Sequence, residues 1–212
     1  MPSDRLVLVI GTGCQARVVA EILRAAGRAV GGLVSPPDSI HRGEEAEGRA
    51  LSWEEALRRR DECEVIPAVG DNALRQRLQQ AALQAGFTVG TAVHPTAIVG
   101  KGVSIGEGTV VGAGAILVLD VTVGKGVIVN TGARIDHDCR IGSYSHVGPG
   151  AVLAGNVEIG ERVFIGAGAV VINNVRIGGD AIVGAGAVVV RDLPEAVVAA
   201  GVPAKILKDV EI

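Results

Sequence analysis

The stretch VSIGEGTVVGAGAILVLDVTVGKGVIVN, residues 103–130, places a branched aliphatic at every sixth position: Ile105, Val111, Leu117, Val123 and Val129. Reading outward, the series begins at Val99 and runs unbroken through Ile135, Ile141, Val147, Leu153, Ile159, Ile165, Val171, Ile177 and Val183 to Val189. Two residues before the aliphatics stand small or slender side chains, among them Ala97, Val103, Thr109, Ala115, Val121, Val127, Ala133, Cys139, Ser145 and Ala151. A period of six fits neither the 3.6 of a helix nor the alternation of a flat sheet. It predicts a parallel β-helix, a triangular prism with three short strands per coil. The sixteen repeats then make a little over five coils.

Composition agrees. Stacked aliphatics fill the prism, and a narrow prism has no room for large rings, which matches 2% aromatic residues. Glycine directly follows most of the aliphatics, and there it is expected to supply corner turns with unusual backbone angles. One repeat buries little alone, so stability comes from stacking on neighbours.

A chain of 212 residues holds one large or two modest domains. A net charge of −3 with scattered Lys and Arg gives no nucleic-acid footprint. Three cysteines, Cys14, Cys63 and Cys139, have no metal or disulfide spacing, which points to a reducing cytoplasm. The apolar run Leu6–Ile10 is too short for a signal peptide, and no stretch is long enough to span a membrane. A soluble, cytoplasmic protein is expected.

The amino-terminal part follows a different pattern. Leu6–Ile10 reads as a buried strand, and the turn Gly11–Ala16 leads into a helix carrying Val18, Val19, Ile22 and Leu23. Ala29–Val34, Val65–Val69 and Phe87–Val93 read as further strands. Leu51–Leu57 reads as a short helix capped by Ser52, and Asp71–Ala85 as a longer one. Alternating strands and helices make half of a Rossmann-like fold with a parallel sheet. The pattern Gly11-x-Gly13-x-x-Ala16 places backbone N–H groups where a phosphate can sit, although a tight turn without a ligand has the same pattern. NAD fits poorly, because the second strand runs into Ser35-Pro36-Pro37 without the acidic residue that holds a ribose. A nucleoside diphosphate held by the turn with Gly11, Gly13, Cys14 and Gln15, and by Gly70 after the third strand, suits the half-domain better.

The combination of this half-domain with hexapeptide repeats resembles the sugar O- and N-acyltransferases related to sialic acid O-acetyltransferases and bacillosamine-pathway acetyltransferases. The likeness runs the whole length. It is most specific from Asn130 through His137-Asp138-Cys139 to His146, and on to Ala154-Gly155-Asn156-Val157. The resemblance implies a left-handed coil, an exception to the right-handed rule for crossovers. It divides the chain into a nucleotide-sugar-binding domain, residues 1–92, and a β-helix with its tail, residues 93–212. It also implies that His137 is the general base, sharpened by Asp138, and that His146, Ala167, Ala185 and Asn130 hold acetyl-CoA. A homotrimer with active sites between subunits is implied too. The chain departs from relatives in having Cys14 and Gln15 where many carry glycine and histidine. It has Ser35 and Pro36 where some carry acids, and Asp138 where some have glutamate.

The residues support this chemistry independently. His137 lies two places after inward Ile135 and is expected at an outward corner, where Asp136 and Asp138 can orient the ring and raise its proton affinity. Acyl transfer to an amine needs a proton removed during attack, a task for a neutral imidazole. A solvated polar corner is the competing reading. Cys139 occupies the small inward position and reads as a packed thiol, so direct transfer without an acyl-enzyme is expected. His146 precedes inward Val147 and is expected to point outward. His41 and His94 read as loop residues. Within the acyltransferase reading that the resemblance implies, the leading function is acetyl-CoA-dependent N-acetylation of the 4-amino group of a nucleotide-linked amino-dideoxy sugar, with no metal. O-acetylation of a sialic acid or related sugar is the alternative. A more distant one is a zinc-dependent carbonic-anhydrase-like prism, for which the repeats supply only His137 and His146.

Overall fold

The computed structural model describes residues 5–37 and 50–210; His41 lies outside them. The chain falls into two compact units that divide between Pro95 and Thr96.

Sixteen two-residue strands run from Ile98–Val99 to Val188–Val189. Each, up to Val170–Val171, pairs in parallel with the strand one coil on, as in the row Ile128, His146, Phe164, Ile182. Every third strand therefore joins the same sheet, and the result is a β-solenoid of roughly six turns. Val111, Leu117, Ile135, Leu153, Ile165 and Val171 fill its interior and are almost wholly inaccessible. From Thr109 onward the small inward positions are buried as well, whereas Ala97 and Val103 of the first coil are half-buried; the polar ones are satisfied. Ser145 Oγ donates to the Gly160 carbonyl at 2.8 Å and accepts the Val163 N–H at 3.0 Å. Thr109 does the same for Gly124 and Val127.

The glycines that follow the aliphatics do not serve the turns. A Cβ on Gly124 would lie 2.7 Å from the Ser143 nitrogen, and one on Gly106 2.6 Å from the Gly124 carbonyl carbon. They are glycine because the next coil's backbone passes over them. Left-handed residues sit two places later, at the second corner position, and many are not glycine: Asp138 has φ 59° and Asn156 has φ 57°. A closing hairpin, Val197–Gly201 with Ala204–Asp209, continues one sheet.

The amino-terminal unit holds β1 (Leu6–Ile10), α1 (Cys14–Ala25), β2 (Val30–Val34), α2 (Trp53–Leu57), β3 (Cys63–Pro67), α3 (Asn72–Gln84) and β4 (Thr88–Val89). Its sheet is parallel in the order β2-β1-β3-β4. β1 is central and apolar on both faces, as a strand covered on both sides must be. Ser52 caps α2 in a full capping box, and Asp71 Oδ1 caps α3 by accepting the Leu74 N–H. Trp53 meets Phe87 edge to face in the core. Of the four apolar residues that α1 carries in this stretch, Val18 is exposed, while Val19, Ile22 and Leu23 are buried.

β3 starts two residues earlier than the apolar run suggests, because Glu64 lies within it. Its carboxylate is neutralised by Arg28, and both side chains are largely buried. The segment expected as one strand over Phe87–Val93 is also broken, with Thr88–Val89 in the parallel sheet and Ala92–Val93 outside it. A Cβ on Gly90 would strike the Glu64 carboxylate.

Candidate active site

His137 occupies the first position of an exposed prism corner, and Asp138 the second. Asp138 has a left-handed backbone, φ 59°, as do Asp120, Asn156 and Asn174 on the same corner of other coils. Asp and Asn tolerate that region better than other side-chain-bearing residues, so the turn itself favours one of the two here. Aspartate reaches the imidazole: Asp138 Oδ2 lies 2.8 Å from His137 Nδ1. An ionised carboxylate only accepts, so Nδ1 carries the hydrogen and the neutral ring keeps its lone pair on Nε2. Asp136 Oδ1 accepts the His137 N–H at 2.8 Å and fixes the start of the corner. The hydrogen bond to Asp138 raises the imidazole pKa above its ordinary value; partial burial opposes this, and the charges of Asp136 and Asp138 reinforce it.

Cys139, next along, is inaccessible and donates its S–H to the Ala154 carbonyl at 3.1 Å. Burial pushes its thiol pKa up, so it stays protonated, as a packed thiol should.

His146 stands on a different sheet from the strands flanking His137, so one chain does not bring the two histidines together. Its position is outward in register, yet it is only 8% exposed. Its ring meets Phe164 edge to face at 5.1 Å. Asn130 Oδ1 accepts the Thr131 N–H at 2.7 Å, which turns the amide nitrogen toward His146 Nε2 at 3.0 Å. An amide nitrogen only donates, so Nε2 accepts. Ala167 and Ala185 are exposed and stack one coil apart on a single corner, where the Gly186 N–H donates to the Ala167 carbonyl at 2.9 Å.

In the amino-terminal unit the remaining candidates gather at the carboxyl ends of the strands. Gly11 is required by the backbone: φ is 135°, its N–H donates to the Val34 carbonyl at 2.8 Å, and a Cβ would sit 2.8 Å from the Ala68 carbonyl oxygen. Gly13 is different. It is the N-cap of α1 with an ordinary φ of −86°, and a Cβ there would meet nothing within 4 Å. Gly70 is exposed and equally open. The buried Arg75 pins its loop by donating to the carbonyls of Val69 at 3.0 Å and Gly70 at 3.2 Å. Cys14 is exposed and Gln15 half-buried at the start of α1, which has no side-chain cap. Ser35 follows β2 and donates its N–H to the Leu51 carbonyl at 2.9 Å.

Two residues at these sites escape a reading by pattern. Phe164 is hidden because its partner lies one coil away. Gly155 lies against the ring of His137, and its one signal is a glycine where the turn requires none. Among the described residues no group of three or more His, Cys, Asp or Glu could hold a metal ion, and no helix is long and apolar enough to cross a membrane.

The PglD amino-terminal domain model matches residues 6–82, and the bacterial transferase hexapeptide model matches 120–155 and 156–191. No curated protein matches the chain significantly. Among solved structures, perosamine N-acetyltransferase from Caulobacter crescentus, in complex with CoA and GDP-perosamine, is 45% identical, with 98% of this chain and 99% of that chain covered and a TM-score of 0.88. The acetyltransferase domain of PglB from Neisseria gonorrhoeae, in complex with acetyl coenzyme A, is 36% identical over 97% of this chain and 100% of its own, with a TM-score of 0.85. WeeI from Acinetobacter baumannii is 26% identical over 95% of this chain and 99% of its own, again with a TM-score of 0.85. The solenoid is accordingly that of the left-handed β-helix acetyltransferases. An open corner carrying a paired histidine, a parallel half-domain and this degree of likeness lead to one assignment: the chain belongs to the sugar acetyltransferases that join a PglD-type amino-terminal domain to hexapeptide repeats.

Proposed function

We propose that the protein transfers an acetyl group from acetyl-CoA to the 4-amino group of a nucleotide-linked amino-dideoxy sugar, with His137 as general base. The observation that carries the reading is the His137–Asp138 pair: an exposed imidazole held by a carboxylate at 2.8 Å through Nδ1, which leaves Nε2 as the basic atom. As the amine attacks the thioester carbonyl, Nε2 takes its proton, the C–N bond forms and the C–S bond breaks. The proton then passes to the departing sulfur. Cys139, buried and protonated, is left out, so transfer is direct. Perosamine N-acetyltransferase, 45% identical, is known with CoA and GDP-perosamine bound in variants in which one histidine is replaced by asparagine or alanine.

The nucleotide rests on the amino-terminal turn. Gly13 and Gly70 are glycines that neither backbone nor packing requires, and α1 begins without a side-chain cap, which together suit a diphosphate. Cys14, Gln15 and Ser35 complete that pocket. Acetyl-CoA takes the corner of Ala167 and Ala185, whose methyl groups leave the backbone open to an elongated ligand, with Asn130 and His146 beside it.

A homotrimer supplies the missing wall. Outward residues of one prism face are Ile98, Ile116, Val152, Val170 and Val188 around a lone Arg134, whereas another face carries Ser104, Thr122, Arg140, Glu158 and Arg176. The apolar face and its exposed edge residues Val118, Leu119, Ile172 and Val190 adjoin the His137 corner, where a second copy would cover them. We place the reaction in the cytoplasm, where the three free thiols stay reduced.

The test is a screen of nucleotide amino sugars, GDP-perosamine among them, against acetyl-CoA with thiol release as readout. His137→Ala should lower kcat about 10²–10⁴-fold with little change in acetyl-CoA affinity. Near-normal turnover in that variant would refute the mechanism.

A further inference from the structure

We infer that Gly155 is a positioning residue, whose missing side chain lets the imidazole of His137 lie back against the next coil and stay within reach of Asp138. The inference rests on the proposed role of His137.

A Cβ built on Gly155 would fall 2.6 Å from both Cε1 and Nε2 of His137 and 3.3 Å from Cδ2. No real Cβ tolerates such an approach, so a methyl group there and the present ring position exclude each other. The obstacle is the ring alone. At Gly106, Gly124 and Gly160 a Cβ would strike the backbone of the next coil, whereas at Gly155 its three nearest atoms all belong to one imidazole.

The turn does not ask for glycine either. Gly155 is the first residue of its corner and has no left-handed φ; that burden falls on Asn156, φ 57°. The equivalent first positions on the same corner are Leu119, His137 and Asn173, so this backbone carries side chains elsewhere. Glycine at 155 is thus explained by the neighbour it accommodates. The backbone joins the two positions as well, since the Asn156 N–H donates to the His137 carbonyl at 2.9 Å.

The His137 side chain is 53% exposed, so a methyl group at 155 can push it outward into solvent without disturbing the core. The ring then leaves the 2.8 Å bond to Asp138, and Nε2 leaves its place. The charged groups acting on the ring are Asp138 and Asp136, while the coil above presents Gly155 and Asn156 and the coil below presents Leu119 and Asp120. Displacement therefore removes the main interaction that favours the imidazolium.

The experiment is Gly155→Ala, with the His137 Cε1–H followed by NMR across pH and assigned by comparison with His137→Gln. The expected result is a titration midpoint that falls back toward the ordinary value of about 6.5. With it should come a loss of about a hundredfold in kcat, as for a base misplaced by about an ångström, and no change in the KM for acetyl-CoA or in Tm. A midpoint that stays at the wild-type value overturns the inference, whatever the activity. If the midpoint falls and kcat does not, His137→Gln separates the causes. An inactive His137→Gln refutes the positioning role, whereas an active one refutes His137 as the base. Should Gly155→Ala fail to fold, the double variant His137→Ala/Gly155→Ala decides. Normal folding of the double variant identifies the ring as the obstacle, and failure of both overturns the inference.

Discussion

Asp138→Asn isolates the charge of the carboxylate from everything else the residue does. The left-handed φ of 59° at position 138 suits asparagine as well as aspartate, and Asn156 and Asn174 hold φ 57° and 62° at equivalent places. The turn should therefore survive, with an unchanged melting curve. The new amide oxygen can still accept the Nδ1 hydrogen over the same 2.8 Å. What disappears is the negative charge. A charge-assisted hydrogen bond is about twice as strong as a neutral one. Here the two side chains are 53% and 60% exposed, so water screens the pair and the loss is far below that of a buried triad. A fall of about tenfold in kcat/KM follows at high pH, where both enzymes hold a neutral imidazole. The sign of the pH effect is fixed by the raised pKa of His137 in the parent protein. The parent loses activity as pH drops through that raised value. The variant, without the carboxylate's charge, keeps its neutral base to lower pH. Its acidic limb should move to lower pH, and the deficit should narrow there. The assay is thiol release from acetyl-CoA with a saturating amino-sugar acceptor, measured across the acidic limb. Parallel profiles, or an acidic limb that moves upward, would refute the assignment of Asp138 as the partner that raises the base.

Cys139→Ala should retain near-normal kcat, because its sulfur is inaccessible and protonated; loss of activity in a folded variant would revive a covalent route. Gly13→Val should fold normally, since nothing lies within 4 Å of the added Cβ. It should raise the KM for the sugar nucleotide without touching acetyl-CoA binding. His146→Ala should do the opposite, and isothermal titration of each ligand against both variants checks the two-pocket assignment, which fails if both lose the same ligand.

The prism was legible because its signal is a period, and a column of stacked aliphatics tolerates no slip. Glycine after the aliphatic was legible too, but its cause was not: the next coil's backbone lies far along the chain, and sequence spacing says nothing of how closely it passes. β3 was displaced by Glu64, a residue that reads as solvent-facing until Arg28, distant in sequence, is seen to neutralise it. His137 and Asp138 were legible as adjacent residues at an outward position, and their bond follows from the corner. The burial of His146 was not, since register gives direction and not what covers a face. Gly155 was hidden among 31 glycines, because nothing local distinguishes a glycine that spares an imidazole from one that spares a backbone.

The left-handed second corner position has a further consequence for how such a centre can arise. Asp120, Asp138, Asn156 and Asn174 form a file in which the turn already favours a short acid or its amide. A chain that acquires histidine at the first position therefore inherits a neighbour fit to hold it, without a second substitution. The turn's preference does not depend on the residue before it, and the same corner one coil down repeats it: Leu119 precedes Asp120, whose φ of 51° is left-handed as that of Asp138 is. The His137 corner is thus one rung of a ladder whose other rungs share the left-handed second position.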